Sequence, residues 1–126
     1  MPSAIWVDAD ACPIVIKDML IRACERTGIS ITFVANQPVR VPAGLPMKAV
    51  QVPAGFDVAD NYIVQHSDVH DLVITQDIPL AAELVKKGVA AVTPRGQFHT
   101  KESIGQRLAI RDLMSDLRDA GMVRGG

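Results

Sequence analysis

The chain has 126 residues, 48% hydrophobic and 21% charged, with a formal net charge of −1, a balance that suits one domain (1–126) with a single core and excludes a disordered chain. A near-neutral charge excludes coating of nucleic acid by bulk electrostatics, although one local patch can still meet a phosphate backbone. No apolar run approaches the roughly 20 residues of a membrane span, and no secretory signal follows Met1, so a cytoplasmic protein with no membrane partner is expected.

Ala4 to Val7 is a short apolar run that ends in Asp8, with Asp10 one residue further. It predicts a buried strand finishing in two carboxylates. Pro13 then opens a helix, where its missing N–H is harmless. Ile16, Leu20, Ala23 and Cys24 recur at helical spacing, and Gly28 stops the run. Trp6, inside the strand, is expected in the core rather than as a base-stacking platform. Cys12 and Cys24, twelve residues apart on one helix, would be ~18 Å apart and beyond disulfide reach. Cys24 reads as a small core residue, and Cys12, just before Pro13, as a thiol whose pKa a helix start could lower.

Ile29 to Ala35 is a β-branched strand, and "NQPVRVPAGLPM" after it is a loop by its prolines and glycine. Lys48 to Val52 is a third strand, ended by the turn "PAG". "DVADNYIVQH" predicts a helix with Asp57 as N-cap. Ile63 and Val64 lie three and four residues after Asp60, so that acid borders the inward face of its helix.

"LVIT" is the next strand, and Asp77 and Pro79 open a helix carrying Leu80, Ala81, Leu84 and Val85, closed by Gly88. Val89 to Val92 is a fifth strand, and "TPRGQ" a loop that places Arg95 at the same edge of the sheet as the acids. "SIGQ" has the form of a capping box, Ser103 with Gln106. It predicts a long helix ending at Gly121, with Ile104, Leu108, Leu113 and Leu117 toward the core. Arg107 and Arg111, four apart and near Asp112 and Asp116, read as a solvated face.

This alternation predicts an α/β three-layer sandwich, a mostly parallel five-stranded sheet with helices on both faces. Ligands bind such sheets beyond the carboxyl ends of the strands, where the strand order reverses. With strands two and three on one side of the first strand and four and five on the other, Asp8, Asp10 and Asp77 meet there, and Asp60 joins them. Capping explains Asp57 or Asp77 singly but not such convergence. Converging carboxylates repel until one is protonated or a cation arrives. All-oxygen ligation suits Mg²⁺ or Mn²⁺, and His66, His70 and His99 have no zinc-ligand spacing with a cysteine.

"IWVDADACPI", "VADNYIV", "LVITQDIPLA" and "VTPRGQ", in this order, resemble the YaiI/YqxD family of bacterial proteins, which is grouped with the PIN-like nuclease folds. Members of that family extend beyond the Gly125–Gly126 pair. The resemblance implies a PIN-like domain that holds one or two Mg²⁺ or Mn²⁺ ions through Asp8, Asp10, Asp60 and Asp77, with Thr75 as a hydroxyl beside them. The implied activity is metal-dependent hydrolysis of phosphodiester bonds of RNA, with single-stranded RNA the expected partner; Arg95, by its loop position at the active edge, is the candidate contact to substrate phosphate. Two other readings stand beside it. "VDADAC" and "LVIT" also resemble the haloacid-dehalogenase-like phosphatase motifs, with Asp8 as nucleophile, although Cys12 departs from that pattern and the late paired acids and cap are absent. A PIN-like module that binds without chemistry is the other.

Overall fold

The computed structural model describes residues 2–55 and 57–121. Five strands, β1 (Ala4–Asp8), β2 (Ser30–Ala35), β3 (Met47–Gln51), β4 (Leu72–Ile74) and β5 (Ala90–Val92), form one sheet in the order β3-β2-β1-β4-β5. Every strand pair is parallel. The sheet is therefore wholly rather than mostly parallel, and among the described residues the antiparallel pairing is confined to an isolated bridge between Val92 and Phe98. The strand order reverses at β1, with β2 and β3 to one side and β4 and β5 to the other.

Alternation along the strands divides the core into two layers. Ile5, Val7, Ile31, Phe33 and Ile74 face α1 (Ile14–Thr27), whose Ile16, Leu20 and Cys24 cover them. Val34, Val73 and Ala91 point the other way, toward α2 (Val58–His66), α3 (Ile78–Lys87) and the start of α4 (Lys101–Asp119). Trp6 is half-buried on this second side, its indole N–H donating to Asp71 Oδ2 at 3.0 Å and its ring 6.3 Å from Tyr62, edge to face. The Gly28 and Gly88 caps of α1 and α3 are left-handed, at φ 72° and 91°, which explains why glycine ends both helices.

Three local expectations are corrected. Asp57 precedes α2 but makes no side-chain cap; its backbone is left-handed at φ 62°. The capping box of α4 lies one turn earlier than "SIGQ": Thr100 is the N-cap and Ser103 occupies the third helical position, each side chain bonded to the other's backbone N–H. A serine satisfies the reciprocal bond as well as the glutamine sought at Gln106. Finally, Ile104 is buried and Leu108 half-buried, but Leu113 is 56% exposed and Leu117 only half-buried. The 19 residues of α4 outrun the 10-residue α3 on which it packs, so its later turns leave the core behind.

Candidate functional site

Asp8 ends β1 on the α2 side of the sheet, two residues after Trp6, and is 4% exposed. Its Oδ2 accepts a hydrogen bond from Thr75 Oγ1 at 2.7 Å. Thr75 is fully buried, just past β4, and its Oγ1 also accepts from the Asp77 N–H at 2.9 Å. Asp77 in turn caps α3, its Oδ1 accepting from the Leu80 N–H at 2.9 Å. One hydroxyl thus ties the acid of β1 to the acid that opens α3.

The short 3-10 helix Ala9–Ala11 turns the chain after β1 and presents Asp10 at the same edge. Asp10 Oδ2 accepts from the backbone N–H of Asn36, at the end of β2, at 2.7 Å. Asp60, in the first turn of α2, is half-buried, as its place beside Ile63 predicts. Asp8, Asp10, Asp60 and Asp77 line one crevice of about 260 Å³, joined by Asp57 and Asn36, and among the described residues no Lys or Arg lines it. The crevice lies where the strand order reverses, beside the carboxyl end of β1.

The electrostatics follow from the geometry. Burial pushes the Asp60 carboxyl up to about 6, and the charges of Asp77, Asp8, Asp57 and Glu83 push in the same direction. Asp8 is raised above the ordinary carboxylate range chiefly by burial, with the Thr75 hydrogen bond opposing and the charges of Asp77 and Asp10 adding. Cys12 corrects an expectation: burial and then the Asp8 charge push its thiol up to about 12. Any help from the helix start is outweighed, and the Sγ points to the Ile74 carbonyl at 3.8 Å. It is a packed thiol rather than a nucleophile.

The fit of a divalent cation is one of donor chemistry. The crevice offers carboxylate oxygens, and Asn36, which also lines it, has an Oδ1 that is buried with no partner among the described residues. Among the described residues, however, no three His, Cys, Asp or Glu side chains converge as a group able to hold a metal ion. The carboxylates of Asp8, Asp10 and Asp77 each commit one oxygen to a protein donor, which fixes them around the crevice rather than at one point. An ion held here would have to keep several of its waters and take one or two carboxylates directly, the mode Mg²⁺ prefers.

Arg95 does not line this crevice. It lies in a neighbouring recess of about 580 Å³ with Gln76, Gln97, His99 and Arg107. Sequence reasoning passed over Asn36, and it read Arg107 as part of a solvated face, whereas Arg107 is half-buried and lines the recess beside His99. Asn36 carried a signal, since it ends a strand at the same sheet edge as Asp8. The burial of His99 was not legible in its spacing: the bridge between Phe98 and Val92 folds its segment back onto β5.

The chain is thus a parallel α/β protein with an acidic crevice at its strand-order reversal, the place where open α/β sheets take their ligands when they bind any. The chain belongs to the YaiI/YqxD family, described as "Uncharacterized BCR", whose sequence model matches residues 6–126. It is similar to UPF0178 proteins of Psychromonas ingrahamii, Thioalkalivibrio sulfidiphilus and Yersinia pestis, at 56%, 58% and 55% identity over 97% of this chain. The matches cover 81%, 83% and 80% of those relatives. No solved structure matches the chain significantly. Among the described residues no helix is long and apolar enough to cross a membrane.

Proposed function

We propose that the protein is a metal-dependent nuclease that hydrolyses phosphodiester bonds of single-stranded RNA in the acidic crevice, using Mg²⁺ or Mn²⁺ held by Asp8, Asp10, Asp60 and Asp77. The observation that carries this reading is that four acids from separate elements line one crevice in which, among the described residues, no Lys or Arg takes part. Such a crevice repels an anionic substrate unless a cation comes first. A bound divalent ion would lower the pKa of a water and offset phosphate charge.

The residues of the chain supply the rest. Thr75 holds one oxygen of Asp8 and the backbone of Asp77, fixing the two across the crevice. The backbone of Asn36 fixes Asp10 in the same way. Asp60, whose side chain makes no hydrogen bond among the described residues, has its carboxyl pushed up to about 6 by burial and by the neighbouring acids. The PIN-like kinship implied by the sequence resemblance points to the same chemistry.

The test is cleavage of labelled single-stranded RNA by purified protein with Mn²⁺ or Mg²⁺, repeated with Asp8→Asn and Asp77→Asn. Both variants should lose at least about 100-fold in rate while keeping a native circular dichroism spectrum. Undiminished cleavage by either folded variant would remove that residue from the site. Metal binding with no cleavage by the parent would favour a module that binds without chemistry. A phosphate trapped covalently on Asp8 would favour the phosphatase reading.

A further inference from the structure

Beside the acidic crevice lies the larger recess, between the start of α1 and the loop from β5 to α4. Gln76, Gln97, Arg95, His99 and Arg107 line it over an apolar wall that includes Val15 and Ile78, and among the described residues no Asp or Glu lines it. We propose that this recess is an anion site that takes a phosphate group of the nucleic-acid strand lying across the acidic crevice. The identity of the strand rests on the function proposed above; the anion site itself rests on the recess.

The half-buried Arg107 is the anchor. Its guanidinium lies 3.0 Å from His99 Nδ1, and His99 Nε2 lies 2.9 Å from the Thr75 carbonyl. A guanidinium can only donate, so Nδ1 accepts and Nε2 carries the proton that bonds Thr75. The imidazole is therefore neutral in this arrangement, and the bond to it leaves the arginine's positive charge uncompensated. Arg107 has further N–H donors in the fork geometry that matches phosphate oxygens.

Arg95 adds a second cation from a loop that is already shaped. The Thr93 N–H donates to the Gln97 carbonyl at 2.8 Å, and the Gly96 N–H to the Thr93 carbonyl at 2.9 Å. Gly96 takes φ 88° to close that turn. Gln76 and Gln97 bring amide donors that bind phosphate oxygens without adding charge.

The recess and the crevice are neighbours along three consecutive residues. Thr75 bonds Asp8, Gln76 lines the recess, and Asp77 lines the crevice. A strand crossing this segment meets the acids on one side and the two arginines on the other. The acids need a metal before they accept phosphate; the arginines do not. Binding at the recess should therefore persist without divalent ions, which separates this site from the nuclease site.

The experiment is fluorescence anisotropy of a labelled single-stranded RNA in EDTA at two salt concentrations, for the parent, Arg95→Ala, Arg107→Gln and Asp77→Asn. Each arginine variant should weaken binding about tenfold and reduce the salt slope by about one. Asp77→Asn should bind at least as tightly as the parent. Since Arg107→Gln could disturb His99, its fold is checked by thermal melting, and Arg95→Ala, on an exposed loop, stands independently of it. Arginine-dependent binding in EDTA supports the site even if the parent never cuts RNA, an outcome that would sink only the nuclease reading. Unchanged affinity and salt slope in both arginine variants would overturn the site. A titration with inorganic phosphate, followed by the arginine Nε–Hε NMR resonances, decides the ligand. If phosphate alone shifts Arg95 and Arg107 and competes with the RNA, the anion site is supported; if RNA binding ignores saturating phosphate and leaves those resonances unmoved, it is overturned.

Discussion

Thr75 is a single hydroxyl with two obligations: it donates to Asp8 and accepts from the Asp77 N–H. Replacing it with Val removes both partners' bonds inside a fully buried position, at a cost of about 2 kcal/mol, and Thr75→Ser should recover most of that loss. Urea denaturation of the two variants checks the ordering; equal midpoints for Val and Ser would show that the hydroxyl contributes nothing. Asp60 behaves oppositely, because its charge opposes folding. Its folded pKa of about 6 lies above the ordinary value of 3.8, so its contribution is fully present below about 3.8 and lost as pH rises through about 6. Asp8 is shifted in the same direction. In EDTA the parent should thus lose stability between about pH 4 and pH 7, and Asp60→Asn should flatten part of that slope. At pH 7.5 the variant should be more stable by about 1 kcal/mol after allowance for solvent screening of a half-buried group. Denaturation midpoints for parent and variant across that range measure it, and a parent curve no steeper than the variant's would contradict the shift.

At the scale of elements, α4 is two helices in one. Its first turns carry Ile104 into the core and Arg107 toward His99, while Ile110 and Leu113 are 60% and 56% exposed. Ile104→Ala should cost about 2–4 kcal/mol, and Leu113→Gln close to nothing; thermal melting of the two distinguishes a core helix from one that only begins in the core. Equal losses would mean that Leu113 is buried in solution. This half of α4 was where periodicity misled. Leu108 packs on the core as its spacing predicts, but Leu113 and Leu117 continue the stripe only in sequence: spacing fixes which residues share a face, not whether another element reaches that face. The strands were legible because a parallel sheet covered on both sides demands continuous apolar runs, and "SITFVA" leaves β2 buried at all but its first residue.

For the molecule as a whole, the strand order places the site. Asp8 and Asp77 were readable as neighbours once "AIWVD" and "LVIT" were taken as adjacent strands flanking the reversal, and Asp60 from the phase of its helix against Ile63. The separation of Arg95 from the acids was not readable, because it depends on Gln76 and Asp77 turning to different sides of one segment. Nor was the partition of oxygens, in which Asn36, Thr75 and Leu80 each occupy one oxygen of an acid. That partition shapes the response expected of the fold to metal. If Mg²⁺ or Mn²⁺ binds the native crevice and not the unfolded chain, the melting temperature must rise with ion concentration by mass action, by about 2.7 kcal/mol of stability at 100 times the dissociation constant. Asp77→Asn and Asp10→Asn should each weaken that response, while raising or preserving the melting temperature in EDTA because a repelling charge is gone. Arg95→Ala, which lies outside the crevice, should respond as the parent does. Melting curves over a Mn²⁺ series for these proteins carry the decision: a parent indifferent to the ion, or acid variants stabilised as strongly as the parent, would mean that the crevice is not a metal site.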